Sequence, residues 1–256
     1  MIGIVGGMGP YAGLDLLKKI YDNTLAGSDQ EHLDTILLSL SSRIPDRTEY
    51  LLGKVALNPA LPITDALLRL EKAGAVVAGI PCNTSHAAGI YTQILEQLER
   101  AGSEIRVLNM IGETVSFTCR QFPDFQTFGV LSTTGTYRSG IYSRALEKAG
   151  FRVVVPEAEM QEELIHKAIY DPEYGIKTVS QPIHSRAIDN LERGIANLKE
   201  RGAEAVVLGC TEIPLAFPGT MVMDLPAIDP TNVLARALIR ETSPEKLKPL
   251  AIFAKP

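Results

Sequence analysis

Cysteine is scarce in this chain: three residues, Cys82, Cys119 and Cys210, among 256. An odd number at wide spacing, in a chain long enough to bury its own core, is no disulfide framework. It fits free thiols in a reducing, cytoplasmic setting. Positive charge is also short. Lys and Arg total 25 against 30 Asp and Glu, a formal charge of −5, which argues against a nucleic-acid polyanion or an anionic membrane as the main partner. No apolar run approaches the ~18 residues that span a bilayer. The stretch Met1–Gly7 lacks a basic lead and reaches glycine too early for a signal peptide. Low-complexity segments are missing. The four histidines, at 32, 86, 166 and 184, are scattered, and the cysteines fall in no CxxC or HxxxH pattern, so no metal site is expected.

What is present is globular: 45% hydrophobic and 21% charged residues. Short β-branched runs alternate with amphipathic stretches, the signature of an α/β fold with mostly parallel strands. Strands are expected near 2–5, 35–40, 75–80, 105–108, 127–131, 152–155, 203–208 and 222–224. Helices are expected near 11–25, 63–73, 85–101, 111–121, 139–149, 161–170, 182–201 and 231–240. The irregular stretch from Ser41 to Pro62 is too long for a mere connector and is a candidate functional loop.

The chain also repeats itself. LEKAGAVVAGIPCNTS (70–85) and LKERGAEAVVLGCTEI (198–213) share a helix end, a glycine, a buried strand and a cysteine. Gly74 and Gly202, like Cys82 and Cys210, are 128 residues apart, and IGIVGGMG (2–9) recurs as FGVLSTTG (128–135) at an offset of 126. A nearly constant offset over two separate motifs points to a duplicated α/β unit with one cysteine per copy at the carboxyl end of a strand. In open α/β sheets ligands bind at that edge.

Two thiols that face one carbon atom suit stereochemical inversion, one as thiolate base and the other as thiol acid. A thiol with a pKa of about 8.5 needs activation at neutral pH. Both cysteines precede expected helix starts, where the dipole favours an anion, and Asn83, Thr84 and Thr211 supply donors beside them. Cys119, unpaired within a helix, reads as core. Gly7–Ala12 satisfies GxGxxA after a strand, but the second strand ends Leu40-Ser41-Ser42-Arg43 without the acidic residue a dinucleotide ribose requires. The glycines instead suit a tight turn that carries backbone amides toward a small anion.

Taken together, GIVGGMGP (3–10), DQEH (29–32), IPDRT (44–48), PCNTSH (81–86), TTGT (133–136) and GCTE (209–212) resemble the cofactor-independent aspartate/glutamate racemases, the aspartate racemase branch most closely. The resemblance implies two similar Rossmann-like α/β domains related by pseudo-symmetry, with mostly parallel sheets and an active site in the cleft between them. It divides the chain into residues 1–112 and 113–256, with the segment from about 224 packing back on the first domain. It further implies two-base racemisation without pyridoxal phosphate or other cofactor, a small amino-acid substrate, and a homodimer. By position, Cys82 and Cys210 match the catalytic pair. Asn83, Thr84, Ser85, Thr133, Thr134 and Thr211 match residues that hold the α-carboxylate and ammonium, with Gly9 lining the turn. His86 and Glu212 stand behind them.

Arg47 matches the residue that recognises a side-chain carboxylate, for which a bidentate guanidinium is suited. Lys167 is a second candidate, although it lies about one turn later than the lysine of aspartate-type members. Cell-wall glutamate racemases carry an acidic residue in the first glycine loop and a histidine two residues after the second cysteine. Glycine and Glu212 here argue against that branch. Aspartate is therefore the expected substrate, with glutamate or a broader amino-acid set, or non-catalytic amino-acid binding, as alternatives.

Overall fold

A computed structural model describes residues 1–250. They form two compact units: Met1–Glu113 with the described residues from Thr231 on, and Thr114–Pro230. The final six residues of the expected C-terminal segment lie outside the described range.

The first unit holds a four-stranded parallel sheet. Its strands are β1 (Ile2–Gly6), β2 (Thr35–Ser39), β3 (Val77–Gly79) and β4 (Arg106–Val107), in the order β2-β1-β3-β4. β1 and β3 are buried along their whole length, which is why they read as unbroken apolar runs and not as alternating ones. Helix Ala60–Lys72 packs one face of this core through Ile63, Ala66, Leu67 and Leu70. Helix Pro10–Asp22 packs through Leu16 and Ile20.

Helix Pro230–Thr242 belongs to this unit although it is encoded far downstream, and it buries Leu234, Ala235, Leu238 and Ile239 with Ile2, Ile4 and Val77. The contact is direct: a Cβ added at Gly79 would lie 2.9 Å from Leu238 Cδ1. Polar ties fasten the helix further. Asn23 Nδ2 donates to Asn232 Oδ1 at 2.8 Å, and Arg240 Nη2 reaches both Glu113 oxygens at 3.0 and 3.1 Å.

The second unit repeats the plan. β5 (Thr127–Ser132), β6 (Arg152–Val154), β7 (Ala205–Gly209), β8 (Met221–Val222) and β9 (Leu225–Ile228) lie in the order β6-β5-β7-β9-β8, with β8 alone antiparallel. β6-β5-β7-β9 thus reproduces the pattern β2-β1-β3-β4 strand for strand. Gly74 and Gly202 enter β3 and β7 with φ of 100° and 89°, the same left-handed helix exit in both copies. Helix Ser185–Glu200 covers this core through Ala187, Leu191, Ile195 and Leu198.

Several local expectations are corrected. The strand expected near 222–224 is a hairpin turn, with Met223 and Asp224 at positive φ (48° and 63°); the inner strand is β9, which carries Pro226. The helix expected from Ser85 begins at Ala88, preceded by a 3-10 turn at Asn83–His86. A helix at Thr134–Ser139 precedes the expected one, which runs Ile141–Lys148. Cys119 is exposed and not in the core: its helix, Met110–Gln121, buries Thr114, Phe117 and Thr118, and the next position turns about 100° outward. No helix among the described residues is long and apolar enough to cross a membrane.

Candidate active site

In the first unit, β1 and β3 run parallel with Ile4 opposite Gly79, so the glycine turn after β1 and the Pro81–Cys82 exit from β3 leave the same edge of the sheet. Gly7 takes φ 97°, and a Cβ there would lie 2.7 Å from Ser41 N and 2.8 Å from Leu40 N. No other residue fits a turn pressed this closely on backbone. Gly9 then stands just before helix Pro10–Asp22, part-buried and extended.

Cys82 is 4% exposed. Its extended backbone is fixed by its neighbours: its amide donates to Ile80 O at 2.7 Å, and its carbonyl accepts from Ser85 N at 3.1 Å. Asn83, Thr84 and Ser85 are buried beside it. Ser85 Oγ donates to Met8 Sδ at 3.6 Å, tying this turn to the glycine turn. His86 Nδ1 lies 3.0 Å from the Cys82 carbonyl, and the ring stacks on Tyr91 at 4.9 Å. A carbonyl only accepts, so Nδ1 carries the hydrogen. Burial drives the His86 pKa down to about 4, against the opposing pull of carbonyls at Cys82 and Leu108. His86 is therefore a neutral prop for the Cys82 backbone at pH 7.

The loop 41–59 places a cation beside the glycine turn. Asp46 caps the short helix Arg47–Leu51, accepting from Glu49 N at 2.9 Å. This cap turns Arg47 inward, and it is 5% exposed. Its Nη1 donates to Pro45 O and its Nη2 to Met8 O, both at 3.1 Å, with Asp46 Oδ2 at 4.0 Å.

In the second unit, Ser132 pairs with Gly209, which places the Thr133–Thr134 turn beside the exit of β7 into Cys210. Thr133 caps helix Thr134–Ser139 by accepting from Thr136 N at 3.3 Å. Thr134 Oγ1 donates to Glu162 at 3.2 Å. Cys210 is 4% exposed, and Thr211 and Glu212 are buried next to it. Its thiol donates to Glu212 Oε2 at 3.0 Å, Thr211 Oγ1 donates to the same oxygen at 3.2 Å, and Lys177 Nζ reaches Oε1 at 2.7 Å. Burial, then the Glu212 charge, push the Cys210 thiol well up, and Lys177 opposes them.

The helix dipoles expected to activate the thiols are not built at either cysteine. Asn83–His86 is a 3-10 turn, and Ile213–Ala216 has four residues; a macrodipole of consequence needs more aligned peptides and acts within its first turn. Lys167 pairs with Glu163 one turn back on a part-exposed helix face. Lys177 is the lysine that reaches the Cys210 neighbourhood, and no sequence motif singled it out. Gln161 was missed too. It is fully buried, with Nε2 donating to Ser132 O at 3.0 Å, and it opens a π-helical segment, Gln161–His166, inside what reads as an ordinary helix. Such segments recur at functional sites.

Residues 5–238 match the profile of a family described as Asp/Glu/Hydantoin racemase. The chain is 25% identical over 244 residues to the broad specificity amino-acid racemase RacX of Bacillus subtilis, covering 93% of this chain and 96% of that one. Among solved structures it is similar to the Picrophilus torridus aspartate racemase, at 28% identity and a TM-score of 0.76 over 94% of this chain and 93% of that one. It shares its fold with the Francisella tularensis glutamate racemase solved with D-glutamate, at 20% identity and a TM-score of 0.62 over 98% and 83% of the two chains.

Proposed function

The chain belongs to the Asp/Glu/Hydantoin racemase family and is an isomerase of the racemase type, and from that premise we propose that it interconverts L- and D-aspartate by a two-thiol mechanism without pyridoxal phosphate. One observation carries the reading: each unit places a nearly buried thiol at the carboxyl end of the corresponding strand, Cys82 after β3 and Cys210 after β7, followed in both by polar residues. In this reading one cysteine, as thiolate, takes the α-proton; the Cα–H pair is left as a carbanion delocalised into the carboxylate. The other, as thiol, returns a proton to the opposite face. Asn83, Thr84, Ser85, Thr133, Thr134 and Thr211 hold the α-carboxylate and ammonium in this reading.

Arg47 supports a dicarboxylic substrate. Its guanidinium is oriented by two backbone carbonyls, with Asp46 Oδ2 at 4.0 Å, and a planar fork held in this way suits bidentate recognition of a carboxylate. The protein works as a homodimer in this reading, as its resemblance to the family implies, and in the cytoplasm, as its widely spaced free thiols suggest. A broader amino-acid range is the second reading. The similarity to a broad specificity racemase favours it, as does the engagement of Lys167 by Glu163 in place of a substrate.

Solvent exchange tests the proposal. Aspartate incubated with the protein in heavy water should gain α-deuterium while losing optical activity. Aspartate recovered without α-deuterium, alongside unchanged rotation, would reject racemisation of this substrate; the same assay run on both enantiomers of the other amino acids separates the two readings.

A further inference from the structure

The carboxylate of Glu212 has its two oxygens loaded differently. Oε1 takes the ammonium of Lys177, and Oε2 takes the neutral donors, the Cys210 thiol and the Thr211 hydroxyl. All of this lies within the second unit. Glu212 is 4% exposed, and an ionised carboxylate at that depth requires a counter-charge. Lys177 supplies it from a well-fixed position. Its amide donates to Ile169 O at 3.1 Å, and its Nζ lies 5.5 Å from the centre of the Tyr170 ring. The ionisable groups that face Cys210 are Glu212, Lys177 and Tyr142, the last a buried phenol held neutral by desolvation.

We propose that Lys177 and Glu212 are positioning residues acting as a balanced pair on Cys210: Glu212 holds the thiol proton, so that Cys210 is the acid in the ligand-free enzyme, and Lys177 offsets the carboxylate enough for Cys210 to ionise in its turn as base. The inference rests on the reading of Cys210 as an acid–base group. It adds a direction, because a negative neighbour alone would lock the thiol. It also assigns work to Lys177, which stands 33 positions before the cysteine and outside every motif.

The two partners of this ion pair have opposite effects on the thiol, and that makes the test specific. In full-length protein carrying Cys82→Ser and Cys119→Ser, Cys210 is the sole thiol. Its thiolate is read by ultraviolet absorbance against pH, with the same protein carrying Cys210→Ser subtracted to cancel tyrosine. Glu212→Gln, nearly isosteric, should lower the midpoint by about one unit, roughly tenfold more thiolate at a given pH. Lys177→Met should raise it by a similar amount, and Lys177→Arg should keep the parent midpoint. Loss of structure cannot imitate the rise, since an unfolded chain returns the thiol toward its ordinary, lower value. Shifts of the same sign in both variants, or no shift in either, overturn the pairing. The titration needs no substrate, so it stands or falls separately from racemisation.

Discussion

Arg47 and Met8 are joined across 39 positions by a guanidinium-to-carbonyl bond of 3.1 Å. The same methionine accepts Ser85 Oγ on its sulfur. Met8 thus connects the glycine turn, the 41–59 loop and the turn that follows Cys82, and its carbonyl helps to set the orientation of the Arg47 fork.

Replacing Arg47 by Ala should lower kcat/KM for aspartate more than for uncharged amino acids that are turned over at all. A lost charge-assisted hydrogen bond costs about 1.5–3 kcal/mol, or roughly one to two decades. Arg47→Lys should recover only part, because a point charge does not reproduce the planar fork. Equal losses across aspartate and alanine would remove Arg47 from side-chain recognition.

Cys82→Ser and Cys210→Ser should each abolish racemisation, since a serine hydroxyl is far too weak an acid to furnish the base. Deuterium exchange at Cα, followed by mass spectrometry, should persist with one enantiomer only in each variant, and with opposite enantiomers in the two. Substantial racemisation by either variant rules out the two-thiol mechanism.

His86 gives a stability signature. Its folded pKa of about 4 lies below the ordinary 6.5, so the folded state binds fewer protons than the unfolded one. The contribution is whole above pH 6.5 and is lost as pH falls through 4. Over that window the cost reaches about 3 kcal/mol. Urea unfolding at pH 7 and at pH 4.5 should therefore show a smaller stability difference in His86→Asn than in the parent. An unchanged difference would mean that His86 does not titrate with burial.

Gly7→Ala tests the turn. Its φ of 97° disfavours a side chain, and the added methyl would meet the Leu40 and Ser41 amides. A cost of about 1–3 kcal/mol is expected from backbone strain of this kind, together with loss of activity from displacement of Met8 and Arg47. A thermal melt and an activity assay on one preparation measure both; an active variant of parental stability would show that the turn accommodates a Cβ.

The buried strands and the repeat were legible in the sequence because parallel strands covered on both faces read as apolar runs, and because a duplicated unit keeps its spacing. β9 was hidden by Pro226, which argues against a strand, yet Pro226 pairs at the antiparallel margin opposite Met221, where a missing amide costs little. Cys119 was misread because one helical position decides between core and solvent, and the register follows Phe117 and Thr118. The cysteines and Arg47 stood out through their motifs. Lys177 did not, since a lysine gains its meaning only from the tertiary contact that brings it to Glu212.

The helix Pro230–Thr242 also sets an order of assembly during synthesis. The first unit to emerge from a ribosome lacks Leu234 and Leu238, which close its sheet over Ile4 and Val77. The described residues of the second unit, Thr114–Pro230, are contiguous and are all translated before Thr231. Domains usually mature from the N-terminus onward; here the later-translated unit can finish first, and the earlier one waits with its apolar sheet face open until the helix Pro230–Thr242 has been made. A chain stopped before Thr231 therefore leaves the first unit without the leucines that cover Ile4 and Val77.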